Sequence, residues 1–301
     1  VVLTALYGSG ALLARELRIR WQKGWVSLFA LGAAYGILEE GLMVKSFFDP
    51  AWVDLGILSS YGRWAGVNWV WSLELTLYHA VISIAIPILL VELMFPDRRY
   101  DVWVGRWGLI GLSALLASDV VFGYFFLNSY SPPPIPYILA VAVVVALVLL
   151  AWRLPRRLFS PKTVYVRHAF WFWLIGFSGA IAFFLVFLGL PRTILPPWVT
   201  MLIGVGLVAL VAWMVMRLSG NGAAWARTHQ LALATGPVSL FIVLAPIQEF
   251  DPNRTDNPVG MTLVGVAALL FLVWLWWRVK TDQAGSVSHK SARDADDSSL
   301  F

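Results

Sequence analysis

A chain of 301 residues that is 59% hydrophobic and only 13% charged, with mean hydropathy +0.76, is not a soluble globular domain, in which about a quarter of the residues carry charge. The net charge of +5 asks for no nucleic-acid partner, because basic loops are what orient a membrane protein. The chain has no cysteine, which excludes disulfides, thiolate metal sites and cysteine nucleophiles.

What remains is an all-α, polytopic transmembrane helix bundle. We expect a single domain over residues 1–280 and a polar, disordered cytoplasmic tail over 281–301. Residues 1–14 are apolar but shorter than the roughly 20 residues a spanning helix needs, so they read as the end of a first helix whose start is missing or irregular. Arg15, Arg18, Arg20 and Lys23 follow as a basic loop. A second helix covers about 25–48 and stops at Asp49-Pro50, and a third covers about 67–95 from the aromatic start VNWVW. A fourth covers about 107–127. The run SPPPIP at 131–136 is too rich in proline to be helical, and a fifth helix then ends near Ala151. Later helices are expected at about 168–190, 197–217, 229–249 and 259–279, the eighth bent or broken at Gly236-Pro237 and Pro246.

Lysine and arginine alternate with the loops. Eighteen lie in the loops beginning at 15, 96, 153 and 217 and from Arg278 onward, against three (Arg63, Arg192, Arg254) in the intervening loops. By the positive-inside rule the C-terminus is cytoplasmic, and with nine helices the N-terminus is outside. The chain then belongs in the cytoplasmic (inner) membrane of a prokaryote, with the lipid bilayer and possible further membrane subunits as its surroundings.

Residues 31–48, LGAAYGILEEGLMVKSFF, hold the chemistry. Gly32, Gly36 and Glu40 recur every four residues and share a helix face where another helix can approach closely. A charged side chain at bilayer depth costs at least about 2.5–3.5 kcal/mol on insertion scales, so Glu39 and Glu40 need a reason to be there. Helix rise puts them roughly 12–14 Å below the outer surface, with Glu74 roughly 9 Å, His79 roughly 16 Å and Asp119 roughly 12 Å down. These groups from three consecutive helices form one candidate layer. Glu39, Glu40 and His79 are its chemistry; Glu74, Asp119, Tyr35 and Lys45 support it, Lys45 either pairing with an acid or snorkelling outward. Glu92 reads as interfacial, His168 and His229 as boundary residues that begin helices, and His289 as part of the tail. Crowded carboxylates suit a proton carrier or general base, and a nearby imidazole can share its water. The same donors would accept a divalent metal, although no HExxH or other ligand spacing is present, and no cofactor is expected.

A Glu-Glu pair on one membrane helix and a His on the next resembles the CAAX-processing and bacteriocin-processing intramembrane proteases, whose pattern is EExxxR, FxxxH and a later HxxxN. Glu39-Glu40 match the acidic pair and His79 the second motif, whereas Val44 stands at the Arg position, Leu75 at the Phe position, and neither His168 nor His229 begins an HxxxN. The resemblance covers about 60 of the 301 residues and implies a glutamate that activates water. Three readings stay open: an intramembrane hydrolase, a proton- or cation-coupled carrier, and a non-catalytic subunit of a membrane complex.

Overall fold

The computed structural model describes residues 2–252 and 257–298, with side chains for 3–252 and 257–283. The described residues form nine helical runs. The first is α1 (Val2–Arg20); the second is α2 (Trp25–Gly36), which continues into a π-helical segment (Ile37–Met43). The third joins α3 (Trp69–Tyr78), a second π-helical segment (His79–Ala85) and α4 (Ile86–Met94). Then come α5 (Arg106–Phe126), α6 (Pro134–Arg153), α7 (Ala169–Phe184) with a third π-helical segment (Leu185–Gly189), α8 (Pro197–Ser219), α9 (Arg227–Glu249) and α10 (Met261–Ser298). Eight of these runs are long and apolar enough to cross a membrane; α1 is not one of them.

The chain divides into two units, residues 1–89, 97–161 and 182–213 in one, and 90–96, 162–181 and 214–301 in the other. In the first unit α2 packs against the second π-helical segment and α6, and α1 packs against α5. Small residues set these crossings. A Cβ on Gly32 would lie 2.8 Å from the Ala80 Cα, and one on Gly10 would enter the Tyr35 ring. In the second unit α9 pairs with α10. There α7 crosses α9 where Gly176 and Gly236 meet backbone to backbone. The Glu249 carboxylate accepts from the backbone N–H groups of Gly260 (2.9 Å) and Thr262 (2.7 Å), capping the start of α10.

Several boundaries differ from the sequence reading, each for a local reason. The helix expected over 25–48 ends at Met43, because Lys45 takes a left-handed φ of 62° and turns the chain. Residues 44–68 then fold back as a cap. It holds a two-strand hairpin, β1 (Arg63–Trp64) with β2 (Val67–Asn68), whose two turn residues Ala65 and Gly66 both have positive φ, as a tight hairpin turn requires. Asn68 closes the cap, its side chain accepting from the Trp71 N–H (3.0 Å) at the start of α3 and donating to the Leu58 carbonyl. Pro134 and Pro136 are not turn residues. They occupy the first turn of α6, where a missing N–H loses no hydrogen bond. The helix α9 runs unbroken through Pro237 and Pro246. Arg15, Arg18 and Arg20 stand in the last turns of α1, not in a loop. The tail expected from 281 is described only as α10 backbone through Ser298, its side chains from 284 onward and its last residues lying outside the described set, as does Arg254.

Candidate functional site in the first unit

Both halves of the site sit on π-helical backbone. Glu39 and Glu40 fall in Ile37–Met43, and His79 opens His79–Ala85. A π-helical turn inserts an extra residue and re-aims the side chains around it, and such turns recur at functional sites. Gly36 lets the two segments meet, since a Cβ there would stand 2.9 Å from the His79 Cβ and 3.3 Å from the Leu75 carbonyl. The small-residue face legible in the sequence is the surface on which His79 rests.

The imidazole lies between the two carboxylates. Its Nδ1 is 3.4 Å from Glu39 Oε2 and its Nε2 is 3.3 Å from Glu40 Oε1. Nδ1 also lies 2.9 Å from the Ser83 hydroxyl, one turn along the same run. Glu39 and His79 are buried, at 5% and 3% exposure. Glu40 is held from the cap. The Ser46 hydroxyl donates to Glu40 Oε2 at 2.6 Å and in turn accepts from the Trp71 indole N–H at 3.0 Å. Glu39 Oε2, by contrast, faces only Nδ1 without an aligned hydrogen bond, and the Tyr7 and Tyr35 hydroxyls interact with the Glu39 carboxylate. Aromatic rings wall the layer: Tyr7 stacks near the His79 ring at 6.1 Å, and Tyr35 and Tyr78 meet it edge-on at 6.2 and 5.5 Å.

The supporting residues divide. Tyr35 belongs to the layer. One ligand atom each from Glu39, Glu40 and His79 can be chosen so that all lie within 4.8 Å of one another, and this group includes neither Glu74 nor Asp119. Glu74 precedes His79 by five residues, about 140° around a helix, so it shares the run but not the face. Asp119 and Gly123, one turn apart, are the buried positions of α5, and at Gly123 a Cβ would strike the Met43 side chain of the Glu-Glu segment. Both acids are buried, each with one carboxylate oxygen lacking a hydrogen bond. Lys45 neither pairs within the layer nor snorkels. Its ammonium donates to the carbonyls of Tyr124 (2.7 Å) and Asn128 (2.5 Å), satisfying the open end of α5. Burial pushes the Lys45 ammonium below its usual pKa, with Asp49 opposing the shift.

The expected boundary histidines do begin helices, Nδ1 of His168 accepting from the Phe170 N–H (3.2 Å) and Nδ1 of His229 from the Ala226 N–H (3.2 Å). Glu92, two residues from the end of α4, is fully buried within the protein. The sequence reading missed three contributors. Ser46 and Trp71 form the relay to Glu40, and Tyr7 walls the site from α1. Only Ser46, close behind the Glu-Glu pair, carried a signal that could have been weighed.

The fold and the site define a multi-pass membrane protein with a buried Glu-Glu-His layer. The chain belongs to a family described as an uncharacterised membrane protein family, whose model matches residues 1–235 and so takes in the whole layer, its cap and Tyr7. No curated protein and no solved structure matches the chain.

Proposed function

We propose that the Glu39–Glu40–His79 layer is the catalytic centre of an intramembrane hydrolase acting on peptide bonds within or beside the bilayer, in the cytoplasmic membrane of a prokaryote. The observation that carries this reading is the convergence of two carboxylates and one imidazole on paired π-helical turns inside an apolar bundle. Nothing in the packing of apolar helices requires three such groups together. The roles follow from the bonds each group already makes. Glu39, whose Oε2 faces His79 Nδ1 at 3.4 Å without an aligned hydrogen bond, is the base: it takes a proton from water, and the hydroxide adds to the peptide carbonyl carbon. His79 Nδ1, beside the Ser83 hydroxyl, is the nitrogen placed to hydrogen-bond the oxygen on which negative charge develops, Nε2 being held by Glu40. The C–N bond then breaks, and Glu39 returns the proton to the leaving amine. Glu40, fixed by Ser46, orients the imidazole through Nε2. The pattern agrees with the glutamate chemistry of the CAAX-type proteases, although the family's Arg and later His-Asn pair have no counterpart here.

The test is cleavage of a panel of membrane-helix peptides by the full chain in liposomes. Glu39→Gln and His79→Ala are each expected to lower cleavage at least 100-fold, the lower range for a lost general base, while remaining monodisperse in detergent. Asp54→Asn, an exposed acid on the cap, should leave the rate unchanged. A wild-type chain that cuts no peptide of the panel ends the protease reading.

A further inference from the structure

We propose that Glu39, Glu40 and His79 bind one divalent transition-metal cation. The inference takes its site from the hydrolase reading, and the two can fail separately. Charge is the first argument. Two carboxylates, one buried and one half-buried, face a single imidazole, so with both ionised one carboxylate charge has no cationic partner in the layer. Buried charge needs a partner. The nearest cations in sequence are committed elsewhere, Lys45 to the Tyr124 and Asn128 carbonyls, and Arg63 to the carbonyls of Phe48 (2.7 Å) and Asp49 (3.2 Å).

Geometry is the second argument. One donor atom from each of the three residues lies within 4.8 Å of the other two. Zinc bonds of about 2.0–2.2 Å put tetrahedral ligands roughly 3.3–3.6 Å apart, so closing the site needs side-chain adjustments of about an ångström. The third argument is enclosure. Glu39 and His79 are 5% and 3% exposed, and the rings of Tyr7, Tyr35 and Tyr78 wall the imidazole, so an ion held there is shielded from bulk water. An imidazole and two carboxylates are the donor set of zinc or manganese, and three protein ligands leave a coordination position for water. A bound ion lowers the pKa of that water to about 7, and Glu39, ligating through one oxygen, keeps the other to take its proton.

The experiment uses the full chain in detergent, freed of metal with EDTA and titrated with Zn²⁺, Mn²⁺ or Co²⁺. Elemental analysis is expected to find one equivalent per chain, with a rise in melting temperature that EDTA reverses. The Co²⁺ form should show visible ligand-field absorption. Glu39→Gln and His79→Gln should each weaken binding at least 10-fold, while Asp119→Asn should bind as wild type does. If a variant fails to fold, the wild-type melting shift with and without EDTA decides alone. Stoichiometry below a tenth of an equivalent, with no melting shift from any of the three ions, overturns the metal site. Cleavage that survives metal removal takes the ion out of the reaction and leaves the glutamate hydrolase standing, while stoichiometry and melting decide the site itself. Stoichiometric binding without cleavage of any peptide supports the site and removes the hydrolase.

Discussion

At the scale of single residues, the site depends on what is missing from Gly36. Without a Cβ, the backbone of α2 comes close enough for His79 to reach both carboxylates. Gly36→Ala would press a methyl to within 2.9 Å of the His79 Cβ, and the π-helical run could yield only by moving the imidazole. Overpacking of this kind costs about 1–3 kcal/mol. We expect a lower melting temperature in detergent for Gly36→Ala and a loss of any peptide cleavage; an unchanged melt would show that the crossing is looser than its geometry. Ser46 works in the opposite sense. Ser46→Ala would leave Glu40 Oε2 and the Trp71 indole N–H without a shared partner, and a buried polar group left unsatisfied costs about 1–3 kcal/mol. Ser46→Ala is therefore expected to melt earlier than wild type, whereas a mutation of exposed Asp54 should not.

At the scale of elements, the last turns of α1 are clasped by the loop before α5. Arg15, 1% exposed, pairs with Glu16 at 2.9 Å, lies 3.3 Å over the Trp103 ring and donates to the Arg99 (3.0 Å) and Asp101 (3.1 Å) carbonyls. Glu16 accepts from the Trp103 N–H at 2.9 Å. This is why α1 continues past its apolar stretch. An acid and a base buried side by side favour the helix, whereas four exposed cations would have favoured a loop. Arg15→Met removes the Oε1 partner of the buried Glu16 carboxylate and leaves Arg20 Nε 3.5 Å from Oε2, so the cost stays below the about 3–5 kcal/mol of a buried pair broken outright. The double change Arg15→Met with Glu16→Leu removes both charges and should recover much of that loss. Thermal melting of the two variants side by side checks this, and a double variant no better than the single would mean that the carbonyl bonds matter more than the pair.

At the scale of the whole molecule, the absence of cysteine makes orientation directly measurable. Single cysteines at Ser160 and Asp54 should label from opposite sides of the membrane, Ser160 only from the cytoplasm and Asp54 only from outside; labelling of Ser160 from outside would invert the chain. The membrane class, the nine helical runs and the position of the Glu-Glu pair were legible in the sequence, because hydropathy and helical period act over neighbouring residues and need no partner. Which groups meet was not legible, and it decided the site. Glu74 and Asp119 lie outside the Glu39–Glu40–His79 group, Lys45 turns to the carbonyls at the end of α5, and Ser46, Trp71 and Tyr7 enter from segments distant in sequence or beyond the helix end. The π-helical turns are the physical reason. They shift the side-chain azimuth in mid-helix, where a regular 3.6-residue period predicts otherwise, and only packing against a neighbouring helix determines where such a turn forms.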